Sequence, residues 1–131
     1  MNSDNPRVLI VEDASNWRTT LETLLKPRGF TVIVAANVLE AASALQQGPF
    51  AAAILDVRLD SFDDDNREGL TTVLMAAHAL YPQMSFVVMS SYYNETEVRG
   101  LVPADVKIFY FDKNNFRTER LFQILEELAQ S

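Results

Sequence analysis

The sequence contains no cysteine, which excludes disulfides, thiolate metal ligands and thiol nucleophiles, and gives no support for a secreted disulfide scaffold. No apolar stretch approaches the ~18 residues needed to cross a bilayer, and the N-terminus, MNSDNPRVLIVED, lacks the basic start and long apolar core of a signal peptide. Positive charge is also scarce: 11 Lys and Arg stand against 18 Asp and Glu, for a formal net charge of −7. Affinity for nucleic acid rests on clustered Lys and Arg, so no direct nucleic-acid partner is expected, and no membrane partner. A cytoplasmic location is the expectation. Low-complexity and repeated segments are lacking too. His78 is the only histidine, flanked by Ala77 and Ala79. With no acidic or basic group positioned by sequence to serve it, it reads as a solvent-edge helix residue rather than a phosphocarrier.

What is present is ordinary globular material: 131 residues, 48% hydrophobic and 22% charged. This is enough for one good core and too little for two, so a single domain over 1–131 is expected, with its core at about 6–129. RVLIV (Arg7 to Val11) is a continuous apolar run, as expected of a strand buried on both faces. From Ser15 the period changes, and Trp17, Leu21, Leu24 and Leu25 share a helical face that ends at Pro27 and Gly29. In this position Trp17 reads as core.

The alternation continues. Strand-like runs cover Phe30 to Ala35, Ala51 to Leu55, Phe86 to Met89 and Val106 to Phe111. Helical faces are formed by Val38, Ala41, Ala42 and Leu45, then by Leu70, Val73, Leu74 and Ala77, and finally by Leu121, Phe122, Leu125 and Leu128 in a helix from about Asn115 to Ala129. Asn94, with Glu97 three residues on, predicts a capped short helix closed by Gly100 and Pro103. Apolar strands alternating with amphipathic helices imply an α/β fold: a doubly wound, five-stranded parallel sheet covered on both faces, with strand order 2-1-3-4-5.

In such sheets ligands bind beyond the carboxyl ends of the strands. There the first strand ends in Glu12 and Asp13, the third in Asp56, the fourth in Ser90 and Ser91, and the fifth in Asp112 and Lys113. Clustered carboxylates repel, and either take up a proton or demand a cation. Mg²⁺ suits one or two carboxylates completed by waters and phosphate oxygens, so Asp13, Asp56 and a backbone carbonyl beyond Asp56 form a plausible open site. The chemistry that fits is phosphoryl transfer to Asp56, with Lys113 supplying a second positive charge and the Ser90 hydroxyl bonding a phosphoryl oxygen. Taken singly, each signal has a plainer reading: a Glu-Asp pair after a strand also serves as a helix-capping loop.

In combination these motifs resemble the receiver domain of two-component response regulators, the CheY-like family, over roughly residues 6 to 129. VLIVED carries the acidic pair Glu12 and Asp13, AILDVRL the acceptor Asp56, VVMSS the hydroxyl of Ser90, and YFDK both Lys113 and Tyr110. The resemblance implies that Asp56 accepts a phosphoryl group from a phosphohistidine on a sensor histidine kinase or phosphotransfer protein. It implies that Asp13, Asp56 and the carbonyl of Arg58 bind Mg²⁺, with Glu12 holding metal-bound water, and that Ser90 and Tyr110 form a switch pair. A downstream effector protein or domain then reads the surface of the fourth helix, fifth strand and fifth helix, and a homodimer is compatible with this. The role is that of a signalling phosphoacceptor, not of an enzyme with turnover beyond slow self-catalysed phosphorylation and dephosphorylation.

Two departures from the family pattern stand out. A Pro four residues after the acceptor and a Gly about eight after it are usual, whereas here Asp60 takes the first position and the next glycine is Gly69. The acidic stretch from Asp60 to Glu68 reads as a solvated insertion. Lys113 is followed by Asn114 where the family usually has Pro. The enlarged loop keeps open an alternative, a receiver-like interaction module whose output is independent of phosphorylation. A haloacid-dehalogenase-type hydrolase would need a second Asp two residues after the nucleophile, and that position is Arg58. A flavin binder would need a phosphate-cradling loop after the first strand, where EDASN places acids instead.

Overall fold

The computed structural model describes residues 5–57 and 68–130. Arg58, with the acidic stretch from Asp60 up to Glu68, therefore lies outside the described residues. The chain runs β1 (Arg7–Val11), α1 (Ser15–Leu25), β2 (Thr31–Ala35), α2 (Val38–Leu45), β3 (Ala52–Asp56), α3 (Glu68–Leu80), β4 (Ser85–Ser90), α4 (Glu95–Arg99), β5 (Ile108–Asp112) and α5 (Thr118–Gln130). All neighbouring strands pair in parallel, and the sheet order is β2-β1-β3-β4-β5, as the sequence pattern implied.

The strands are apolar throughout because both faces of the sheet are covered. Side chains alternate across the pleat. On one face Leu9, Val11, Ala53, Leu55, Phe86, Val88 and Ile108 pack with Ala41 and Leu45 of α2, Leu70, Val73 and Leu74 of α3, and Val98 of α4. On the other, Val8, Ile10, Ala52, Ile54, Val87, Met89 and Phe111 pack with Leu21 and Leu25 of α1 and Leu121, Phe122 and Leu125 of α5.

Helix ends follow local chemistry. The Asn37 side chain accepts the Glu40 amide at the start of α2. Asn94 and Glu97 form a full capping box on α4, whose C-terminal Gly100 stays right-handed (φ −71). Gly29, after α1, takes φ 92, the left-handed conformation glycine alone adopts freely.

The structure moves several boundaries. β3 to β5 extend to Asp56, Ser90 and Asp112, because polar side chains at a strand end still join the backbone ladder: Asp56 pairs with Met89 and Ser90 with Asp112. α5 begins at Thr118 rather than Asn115. Asp112 Oδ1 accepts the Asn114 amide and closes a separate 3-10 turn over Lys113–Asn115, after which Phe116 is extended. His78 is half-buried rather than solvent-edge. Its Nε2 lies 3.9 Å from Asp105 Oδ2, and its buried Nδ1 has no hydrogen-bond partner among the described residues.

Gly48 lies so close to Tyr81 that an added Cβ would overlap the phenol ring. That ring is held in place, its hydroxyl donating to the Leu45 carbonyl and its edge meeting Phe50 with centroids 6.2 Å apart. Gly48→Ala is therefore expected to cost about 1–3 kcal/mol in urea unfolding through overpacking, with most of the loss disappearing in a Tyr81→Ala background. Equal losses in both backgrounds would reject the steric cause.

Candidate functional site at the carboxyl edge of the sheet

The ladder register brings the polar strand ends together. β1 and β3 pair Val11 with Leu55, so Glu12 and Asp56 stand side by side one step further on. The β3 to β4 register puts Met89 beside Asp56 and carries Ser90 just past it, and Ser90 in turn pairs with Asp112, immediately before Lys113. Glu12, Asp13, Ala14, Asp56, Ser90, Ser91, Tyr92 and Lys113 line one cavity of about 170 Å³. Every sequence-predicted pocket residue that is described lies here, apart from Tyr110.

The carboxylates of Glu12, Asp13 and Asp56 each offer an oxygen within 4.8 Å of the others. Glu12 (2% exposed) and Asp56 (7%) are buried, and Asp13 is half-buried. Lys113 Nζ reaches Glu12 Oε2 at 2.6 Å and Asp56 Oδ1 at 3.2 Å, with its own side chain 8% exposed. One ammonium therefore serves two buried acids, and among the described residues the third, Asp13, has no such partner. Burial pushes Glu12 up from 4.5 to about 7, Asp56 adds to the rise, and Lys113 only partly opposes it. Burial likewise raises Asp56, against the pull of Lys113. Desolvation outweighs the single cation. A hard divalent ion, which takes carboxylate oxygens, fits the unbalanced charge of this donor set. The plainer reading of Glu12 also holds, since its Oε1 accepts the Ala14 amide at the entrance to α1.

The switch candidates converge on one backbone unit. Ser90 Oγ accepts the amides of Tyr92 (3.1 Å) and Tyr93 (2.8 Å), while Tyr110 Oη donates to the Tyr93 carbonyl (2.6 Å). Tyr110 is half-buried, and burial, with Asp112, Glu95 and Glu97 nearby, raises its phenol, which therefore stays a donor at neutral pH. The residue type of Tyr93 does not announce it as the link, because the bonds run to its backbone. Nor does the sequence point to Arg18, whose Nη1 donates to the Glu12 carbonyl at 2.8 Å, or to the contact made by Asn114, whose side chain donates to the Ser91 carbonyl at 2.9 Å. Trp17 packs against the core as expected, yet its ring also lies 5.2 Å from Lys113 Nζ.

A carboxyl raised in the folded state favours the fold below its ordinary value, and that advantage is lost as pH rises through the folded value. For Glu12 the window runs from 4.5 to about 7. Without divalent ions, stability should fall across it by on the order of 2–3 kcal/mol. Saturating Mg²⁺ should cancel the fall, so the Mg²⁺-induced gain in Tm grows from pH 5 to pH 8. A gain that is the same at both pH values would place the ion elsewhere.

Similarity to known proteins covers the same region. A family model described as the response regulator receiver domain matches residues 8–126. A Rickettsia bellii protein named as an NtrX-like response regulator is 35% identical over 124 residues, covering 94% of this chain and 24% of its own length. The sensor kinase CckA of Brucella abortus is 28% identical over 130 residues, 98% of this chain and 13% of the kinase. The chain thus spans about a quarter or less of these curated relatives. Among solved structures, a CheY-like receiver domain protein from Methanospirillum hungatei superposes with a TM-score of 0.76 at 23% identity, covering 95% of this chain and 94% of its own. NtrX from Brucella abortus gives 0.80 at 18% identity, covering 96% and 27%. These structural likenesses establish the fold, and the family match runs from β1 into α5 across the whole carboxylate and lysine cluster. The chain belongs to the response regulator receiver domain family.

Proposed function

We propose that this chain is a single receiver domain that accepts a phosphoryl group on Asp56 from a phosphohistidine of a sensor histidine kinase or phosphotransfer protein, and so switches a protein-interaction surface. The observation that carries this reading is the cluster itself: Asp56 Oδ1 lies 3.2 Å from Lys113 Nζ, within a three-carboxylate group whose oxygens fall inside 4.8 Å.

In the reaction, a carboxylate oxygen of Asp56 attacks phosphorus, the P–N bond to the donor imidazole breaks, and the electron pair leaves with the imidazole nitrogen. The product is an acyl phosphate. No general base is needed, because the nucleophile is used as the carboxylate. Asp13 and Asp56 would hold Mg²⁺ directly and Glu12 through water, with the carbonyl of Arg58 as a further ligand. When bound, the ion neutralises charge on the transferred group. Lys113 supplies the second positive charge, aimed at the group from the β5 side.

Ser90 then gains a partner for its O–H. A phosphoryl oxygen on Asp56 would accept the Ser90 O–H, a donor not used by the Tyr92 and Tyr93 amides that Oγ accepts, and movement of Oγ toward that oxygen disturbs those two bonds. Tyr110 holds the carbonyl of the same Tyr93, so the change reaches β5 and the adjoining α4 and α5 surface. An effector protein or domain that reads this surface is the partner we assign, in a cytoplasmic setting. Among the described residues no helix is long and apolar enough to cross a membrane.

Incubation with Mg²⁺ and acetyl phosphate should add one phosphoryl group, seen by intact mass, and Asp56→Asn should abolish it. Lys113→Ala should slow the addition roughly a hundredfold, the scale for losing one preorganised electrostatic contact at a transition state. Labelling that persists in Asp56→Asn would remove the nucleophile assignment. Full labelling without any change in effector binding or oligomeric state would instead favour the phosphorylation-independent module.

A further inference from the structure

We propose that the indole of Trp17 is a positioning residue for Lys113, holding the ammonium at Asp56 independently of the carboxylates that also bind it. The inference rests on the phosphoacceptor reading above.

Lys113 Nζ lies 5.2 Å from the centroid of the Trp17 ring, inside the ~6 Å range in which an ammonium is attracted to an indole face. The lysine side chain is 8% exposed, so water offers little competing solvation. Trp17 is itself fixed, standing edge-on to Phe116 at 5.5 Å and an interplanar angle of 77°, while Phe116 meets the buried Phe111 at 5.8 Å. Phe116 follows directly on the 3-10 turn that carries Lys113, so α1 and the end of β5 are joined by aromatic contacts on the lysine's flank. On the other flank the Asn114 side chain bonds the Ser91 carbonyl.

This support matters because the closest acceptor of Lys113 is Glu12, at 2.6 Å, and not Asp56, at 3.2 Å. Held by carboxylates alone, the ammonium would follow whichever of them was freed or recruited as the site fills. An indole face has no charge to be neutralised by an incoming ion, so it keeps the ammonium in place while the carboxylates change partners. The sequence placed Trp17 on the core face of α1, and that packing is real. The lysine contact is made by the same half-buried ring.

Trp17 is the only tryptophan, so biosynthetic incorporation of mono-, di- and trifluorinated tryptophan alters one ring. Fluorination weakens the π face with little change of shape. The rate of Asp56 labelling by acetyl phosphate at saturating Mg²⁺ should fall stepwise along that series, and roughly tenfold in Trp17→Leu, with Trp17→Phe recovering part of the loss. A merely structural tryptophan would leave the fluorinated series flat, and a flat series overturns the proposal. A second measurement needs no phosphodonor: the Hε protons of Lys113 should be shifted upfield by the indole ring current and return to ordinary values in Trp17→Leu. Ordinary values in the unmodified protein would also overturn it. If the protein takes up no phosphoryl group while the ring-current shift is present, the phosphoacceptor reading fails and the Trp17–Lys113 contact stands.

Discussion

Three carboxylates and one ammonium meet at the carboxyl edge of a parallel sheet, and the rest of the molecule has to hold them there. An ion withdrawn from water costs several kcal/mol unless it is well paired, and like charges add to the cost. Lys113 balances Glu12 and Asp56 only in part, which is why both carboxyls are displaced upward. Side chains on flexible loops would relax by moving apart. Here they cannot, because Glu12 and Asp56 are fixed to adjacent strands whose inner residues are almost wholly buried on both faces. The two cores hold the strands in register, and the register sets the distance between the acids. Stability spent on this local repulsion leaves a buried acidic cluster whose donor set fits a divalent ion.

Much of this could be read from the sequence because burial on both faces writes itself plainly. A strand covered on one face alternates apolar and polar residues; RVLIV and FVVM do not, and that difference alone points to a parallel sheet with helices on both sides. The pocket residues were legible for a related reason, since Glu12, Asp56 and Ser90 are the first polar side chains after such runs and Asp13 and Lys113 the second. The same criterion misjudged the ends of the strands. Counting only apolar residues stops β4 at Met89 and β3 at Leu55, although Ser90 and Asp56 continue the ladder and are themselves buried. Likewise, a helical pattern extended back to Asn115 cannot show that Asp112 turns its side chain onto the Asn114 amide and closes a separate turn first.

What the sequence could not show are contacts that depend on the backbone or on two faces of one side chain. Tyr93 joins Ser90 to Tyr110 through its own amide and carbonyl, so no residue type at that position announces the link. His78 sits on an apolar stretch of α3 and is nevertheless within 3.9 Å of Asp105, which arrives from the loop before β5. Long-range juxtapositions of this kind follow from topology, and topology becomes specific only once the strand order is fixed.

Asn114 shows how a departure from the family pattern can keep the geometry by other means. Proline at that position restricts the chain through its ring and has no amide N–H to donate. Asparagine offers both a backbone N–H and a side-chain amide, and the structure uses both: the backbone amide goes to Asp112 Oδ1, and Nδ2 to the Ser91 carbonyl. Each bond is exposed and contributes on the order of 1 kcal/mol. Rigidity is thus replaced by a tie between two loops, the one carrying Lys113 and the one following Ser90. A ring would fix the lysine's turn in itself; an amide fixes it relative to the loop that the Ser90 hydroxyl also holds. In this chain the turn that carries Lys113 and the loop that follows Ser90 are consequently tied by an exposed hydrogen bond beside Asp56.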